Sequence, residues 1–133
     1  MVRVGKENVA AAARIKGQVG ERELFRALSD ELGYVVQRKL GAARDGGCDG
    51  LDVPGWAVEV KRTETLCLPA FWAQAVRQAQ DAGLKPVLFW RKSRAKWVAF
   101  MDPADLAPEV FNWGGDPISM SLPRWCELAR AWM

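Results

Sequence analysis

The residues in this chain best suited to chemistry are Asp49 and, ten positions on, the triplet Glu59-Val60-Lys61. A Gly46-Gly47 turn precedes Asp49, and the run Lys16-Gly17-Gln18-Val19-Gly20-Glu21 lies upstream. Cleaving a phosphodiester requires an activated water, neutralised phosphoryl oxygens and a stabilised leaving oxygen, all of which a carboxylate-bound Mg²⁺ can serve. That ion takes hard oxygen ligands and keeps several waters. Asp49 and Glu59 are then its natural ligands and the Val60 carbonyl a third, while Lys61 orients the attacking water or helps to deprotonate it. Glu21 contributes a carboxylate from a helix.

The elements that must position these residues follow from periodicity. Leu24, Phe25, Leu28 and Leu32 recur at three- and four-residue spacing and predict an amphipathic helix over Gln18–Leu32, closed by Gly33. Residues 1–16 read as weakly ordered or as a loose first helix. Glu21 and Glu23 then lie in the first turns, where the helix dipole alone would favour them. Tyr34–Gln37 reads as a short strand and Gly41–Gly47 as a loop. Asp49–Val53 and Trp56–Arg62 read as a hairpin-like pair about Pro54-Gly55. Along the second of these, Glu59 and Lys61 share a face, about 7 Å apart by the strand rise. A second helix is predicted over Pro69–Gly83, with Trp72, Ala75, Val76 and Ala79 buried. Strands at Pro86–Trp90 and Lys96–Met101 follow, joined by the basic turn Arg91–Ala95, and a terminal helix runs from Pro123 to Trp132. This order predicts a single α/β domain over residues 1–133, a mixed β-sheet flanked by helices. Its core spans about 16–101, with a C-terminal appendage over about 102–133.

Composition narrows the chemistry. With no histidine in 133 residues, Ser-His-Asp and Cys-His catalysis and His-ligated zinc are excluded. The three widely spaced cysteines, Cys48, Cys67 and Cys126, suit reduced thiols in a cytoplasmic protein. No apolar run is long enough to span a bilayer. Residues 1–101 hold 17 of the 19 basic side chains and 11 of the 16 acidic ones. The basic residues include Arg38, Lys39 and Arg44, then Lys85, Arg91, Lys92, Arg94 and Lys96 with no acidic residue between them. Such clustering suits a polyanion. Of the seven tryptophans, Trp56, Trp72 and Trp90 fit buried stripes, while Trp97 beside Lys96 is placed either in the core or against a nucleic-acid base.

Taken in order, these residues resemble the PD-(D/E)xK nuclease superfamily, with Cys48-Asp49 where the family has Pro-Asp and Glu59-Val60-Lys61 as the (D/E)xK element. Within it, the Lys16–Glu23 run resembles the helix start of archaeal-type and phage Holliday junction resolvases. The resemblance spans roughly residues 16–101 and implies a restriction-endonuclease-like core. It implies Asp49, Glu59 and Val60 as metal ligands, Glu21 assisting the metal through water, Lys61 as the catalytic lysine, and Gln74, then Gln78, as a polar residue near the site. Mg²⁺, with Mn²⁺ as a substitute, is the implied cofactor. A homodimer cutting branched DNA is the implied assembly. The DNA contacts expected are Lys16, Arg38, Lys39, Arg44, Arg62, Arg91, Lys92, Arg94 and Lys96. Two readings compete: a nuclease of this type for duplex DNA in repair, restriction or phage DNA processing, and a non-catalytic DNA-binding module on the same fold.

Overall fold

The computed structural model describes residues 6–36 and 53–132, with side chains from Val19 onward. The elements run α1 (Lys6–Leu32), β1 (Trp56–Arg62), α2 (Leu68–Ala82), β2 (Lys85–Arg91), β3 (Val98–Met101), α3 (Pro103–Leu106), β4 (Ile118–Ser121) and α4 (Leu122–Ala131). The loop at 41–47, the strand expected over Asp49–Val53 up to residue 52, and Asp49 itself lie outside the described residues, as do Cys48, Arg38, Lys39 and Arg44.

The described strands form one mixed sheet in the order β1-β2-β3-β4. β1 and β2 run parallel, with Trp56 opposite Lys85, Glu59 opposite Leu88 and Arg62 opposite Arg91. β2–β3 and β3–β4 are antiparallel. Parallel neighbours need a crossover, and α2 supplies it. α1 and α4 cover one face, where Leu24, Leu28 and Leu32 pack with Trp56, Val58, Phe89, Trp125 and Ala129. α2 covers the other, where Ala75 meets Leu88 and Phe100, with Phe71, Trp72 and Trp90 packed alongside. β1 is thus covered on both sides, which explains its buried run from Trp56 to Glu59.

Several local expectations are corrected. The loose first helix and the Gln18–Leu32 helix are one, because the alanine-rich stretch from Asn8 has the propensity to carry the helix through Gly17. Glu21 therefore sits in mid-helix, beyond the first turn where the helix dipole acts, and that explanation of it fails. Of the strand expected over Tyr34–Gln37, residues Tyr34–Val36 form none, and Gln37 lies outside the described residues. After Gly33 closes α1 at φ 80°, the Ser29 hydroxyl accepts the Val36 N–H at 2.8 Å and donates to the Phe25 carbonyl at 2.7 Å. A side chain thereby takes the bond a strand ladder would have used. Pro54-Gly55 does turn, with Gly55 at φ 86°, but the described partner of β1 is the parallel β2.

The C-terminal segment completes the core. β4 adds the fourth strand, and α4 opens on Ser121, whose hydroxyl accepts the Arg124 N–H at 3.2 Å, with Pro123 in the first turn. Trp125, fully buried, meets Trp56 and Phe89 edge-on at centroid distances of 5.0 and 5.1 Å. Such aromatic pairs favour this geometry and contribute beyond the area they bury.

Candidate active site

Glu59 reaches the site because β1 alternates its side chains: Trp56 and Val58 face α1 and α4, so Glu59 and Lys61 face α2. Glu59 is 2% exposed, and a carboxylate at that depth requires a partner. Lys61 provides one, its Nζ 3.3 Å from Glu59 Oε1. The same ammonium lies 5.4 Å from the Phe71 ring centroid on α2. At 25% exposure, Lys61 brings the pair from the interior to the surface, so the charged ends open outward at one point. Val60, half-buried between them, is directed to the α1 face.

Glu21 follows Gly20 on α1, and at Gly20 α1 presses close against β1: a Cβ at that position would lie 2.9 Å from Arg62 Cβ. Gly20, Leu24, Leu28 and Leu32 form one four-residue ridge, all buried. Glu21 is half-buried, with one carboxylate oxygen enclosed. It is thereby brought to the end of the strand that carries Glu59 and Lys61. Asp49 lies outside the described residues, and among those described no three acidic or thiol side chains are grouped to hold a metal.

The carboxyl ends of β1 and β2 are cross-braced. Arg91 donates to Glu23 through Nε at 3.0 Å and through Nη2, and its guanidinium lies 5.4 Å from the Trp97 ring centroid. Thr63 N–H donates to the Arg91 carbonyl at 3.2 Å, Trp90 Nε1 to Thr63 Oγ1 at 2.9 Å, and Ser93 N–H to Glu64 Oε1 at 3.1 Å. These bonds hold the loop after β1 against the turn after β2. The carboxyl ends of parallel strands are where open α/β sheets place their ligands.

The remaining candidates distribute unevenly. Gln74 and Gln78 are half-buried on α2, and Gln78 Oε1 is enclosed with no hydrogen bond among the described residues. Lys92, Arg94 and Lys96 are exposed on the β2–β3 turn, with Arg94 at φ 63°. Arg91 is largely enclosed by Glu23 and Trp97, and Arg62 is half-buried against Gly20. The Lys16 side chain is not among those described. Lys85 stands apart from the other basic residues, its ammonium over Trp56 and Trp132 at 5.6 and 5.5 Å. It begins the strand that Arg91 ends, roughly 20 Å away by the strand rise. The bracing role of Glu23 had no sequence signal, because its partner is 68 residues distant.

The family model described as "Phage putative PDDEXK endonuclease" matches residues 12–113. The chain belongs to this family. The PDDEXK endonuclease family fits the buried glutamate and its lysine two residues on in β1. No curated protein matches the chain. Among solved structures, it is similar to Hjc, a Holliday junction resolvase from the archaeal hyperthermophile Archaeoglobus fulgidus. The two share 20% identity at a TM-score of 0.48, over 86% of this chain and 95% of that one. Among the described residues of this PDDEXK endonuclease, no helix is long and apolar enough to cross a membrane.

Proposed function

We propose that this PDDEXK endonuclease is a divalent-metal-dependent endodeoxyribonuclease of the cytoplasm that cuts branched DNA, four-way junctions first, as a homodimer. The observation that carries the reading is the Glu59–Lys61 pair, a buried carboxylate and a surface-reaching ammonium 3.3 Å apart on one strand face. The preference for junctions is supported by the likeness of the Lys16–Glu23 run to the helix start of resolvases.

The donor set suits a hard cation: carboxylates of Glu59 and Asp49, the Val60 carbonyl, and Glu21 through water. Bound there, Mg²⁺ or Mn²⁺ would neutralise phosphoryl charge and lower the pKa of a water. Glu59 is held in one orientation by its burial and by Lys61, so little reorganisation is needed when substrate arrives. Lys61, anchored by Glu59 and Phe71, presents its ammonium where the phosphate must approach and can orient the attacking water. Gln74 on α2 would position substrate or water opposite. Lys92, Arg94 and Lys96, projecting from the same end of the sheet, would contact the DNA backbone and fix its register without reading bases.

The test is incubation of purified protein with labelled four-way junction, flap and linear duplex DNA, in Mg²⁺, in Mn²⁺ and in EDTA. Paired symmetric cuts in the junction, lost in EDTA and in Glu59→Gln and Lys61→Ala, are expected. Equal cutting of duplex would replace the junction reading with the general nuclease one. Cleavage undiminished in Glu59→Gln would remove the site.

A further inference from the structure

The turn that carries Lys92, Arg94 and Lys96 contains a strained residue and is fastened from outside. Arg94 lies at φ 63°, the left-handed region that a residue with a Cβ seldom adopts. The turn closes on itself through the Ala95 N–H, which donates to the Lys92 carbonyl at 3.2 Å. Ser93, between two of the cations, makes the outside contact: its N–H donates to Glu64 Oε1 at 3.1 Å, and its hydroxyl donates to the same oxygen. Glu64 itself extends from an anchored segment. Thr63 N–H donates to the Arg91 carbonyl at 3.2 Å, and Thr63 Oγ1 accepts from Trp90 Nε1 at 2.9 Å and donates to the Thr65 carbonyl at 2.8 Å. Glu64 lies three residues beyond Lys61. One side chain therefore ties the basic turn to the strand that carries Glu59 and Lys61.

Given the nuclease function proposed above, on which this rests, we propose that Glu64 is a positioning residue for cleavage. It holds Lys92, Arg94 and Lys96 at a fixed offset from Lys61, so that DNA bound by the turn presents its scissile phosphate at the active site. The charge of Glu64 argues for such an internal role. It is an exposed carboxylate beside exposed cations, and there it repels DNA phosphates and lowers the affinity of the surface. Its effect on geometry runs the other way. Two charge-assisted bonds from one serine fix the turn in direction as well as in distance. Phosphate contacts set the register of a protein on DNA, and a turn free to move would set it loosely. That matters because a misplacement of about 1 Å can cost on the order of 100-fold in rate. The Glu23–Arg91 bridge fastens the strand before the turn, whereas Glu64 fastens the turn itself.

The test compares Glu64→Ala, Glu64→Gln and Ser93→Ala in the full chain. DNA affinity is measured in EDTA. Single-turnover rate at saturating protein and cut position are read in Mg²⁺, on labelled four-way junction and linear duplex. Both Glu64 variants lose the charge, but glutamine keeps an acceptor oxygen for Ser93. Glu64→Ala is expected to bind DNA no more weakly than wild type, yet to cleave roughly 10-fold more slowly or worse, with cuts spread over neighbouring positions. Glu64→Gln should bind like Glu64→Ala but restore the wild-type rate and cut position. Ser93→Ala, which keeps the N–H and loses the hydroxyl, should slow cleavage by less and add nothing to Glu64→Ala. The proposal is overturned by wild-type rate and cut position in Glu64→Ala, or by equal slowing in Glu64→Gln, which would make the charge the cause. Wild-type protein that cuts neither DNA would remove the nuclease function itself, and the positioning role with it.

Discussion

Gly20→Ala adds one methyl at the point where α1 meets the end of β1. Helix propensity alone favours alanine at a mid-helix glycine by about 1 kcal/mol. Against that, the new Cβ would lie 2.9 Å from Arg62 Cβ and 3.2 Å from Arg62 Cδ. Carbons in contact sit about 3.5–4.0 Å apart. The Cδ can swing aside, but the Cβ is fixed to the strand, so α1 and β1 must separate by roughly 0.6–1 Å. Forced overpacking of this kind costs about 1–3 kcal/mol, which outweighs the propensity gain and leaves a net loss of about 1 kcal/mol. The effect on cleavage should be larger. Glu21 is the next residue on the helix and moves with it, and a displacement of about 1 Å at a reacting centre can cost on the order of 100-fold in rate. Urea unfolding measures the first effect and single-turnover cleavage in Mg²⁺ the second. A variant about 1 kcal/mol more stable than wild type, with full activity, would show that α1 and β1 are not in contact at Gly20.

Asp105 gives a pH signature. Its carboxyl is raised by folding from 3.8 to about 6, so the folded state favours the protonated form, and that contribution is full below pH 3.8 and lost as pH rises through about 6. Relative to Asp105→Asn, wild type should lose about 3 kcal/mol across this window; parallel stability curves from urea unfolding at each pH would contradict it. Between the two described thiols, exposed Cys67 should alkylate readily, whereas Cys126 is buried and its thiol raised to about 12 by burial and Glu31, against Arg130. Mass mapping after brief alkylation at neutral pH checks this, and equal labelling would mean that α4 opens from the core. Replacing Lys92, Arg94 and Lys96 together by alanine should flatten the dependence of DNA affinity on salt, by up to ~3 in log–log slope. An unchanged slope would move the DNA surface elsewhere.

The adjacency of Glu59 and Lys61 was legible in the chain itself because it rests on local spacing. An E-x-K puts two side chains on one face of a strand whatever else the fold does, and the structure pairs Glu59 with Lys61 at 3.3 Å. The leucine ridge of α1, the α2 stripe ending in Gly83 and the strand hydrophobics were readable for the same reason: periodicity of 3.6 or 2 is written into neighbours. Tyr34–Val36 defeated that logic because one hydroxyl, Ser29, outbid the strand ladder for the Val36 N–H.

What the tertiary structure alone decided depends on pairs far apart in sequence. Arg91 looked like a free cation in a basic run, yet Glu23, 68 residues away, holds it. Lys85 belonged to the same run, but a straight strand carries it to the opposite end of the sheet, over Trp56 and Trp132. Residues 102–133 carried no motif, and they supply β4 and the buried Trp125. Local propensity and spacing determine which atoms share a face. Burial, ion pairing and cavities arise only when distant segments exclude water together, and no window of sequence contains both partners.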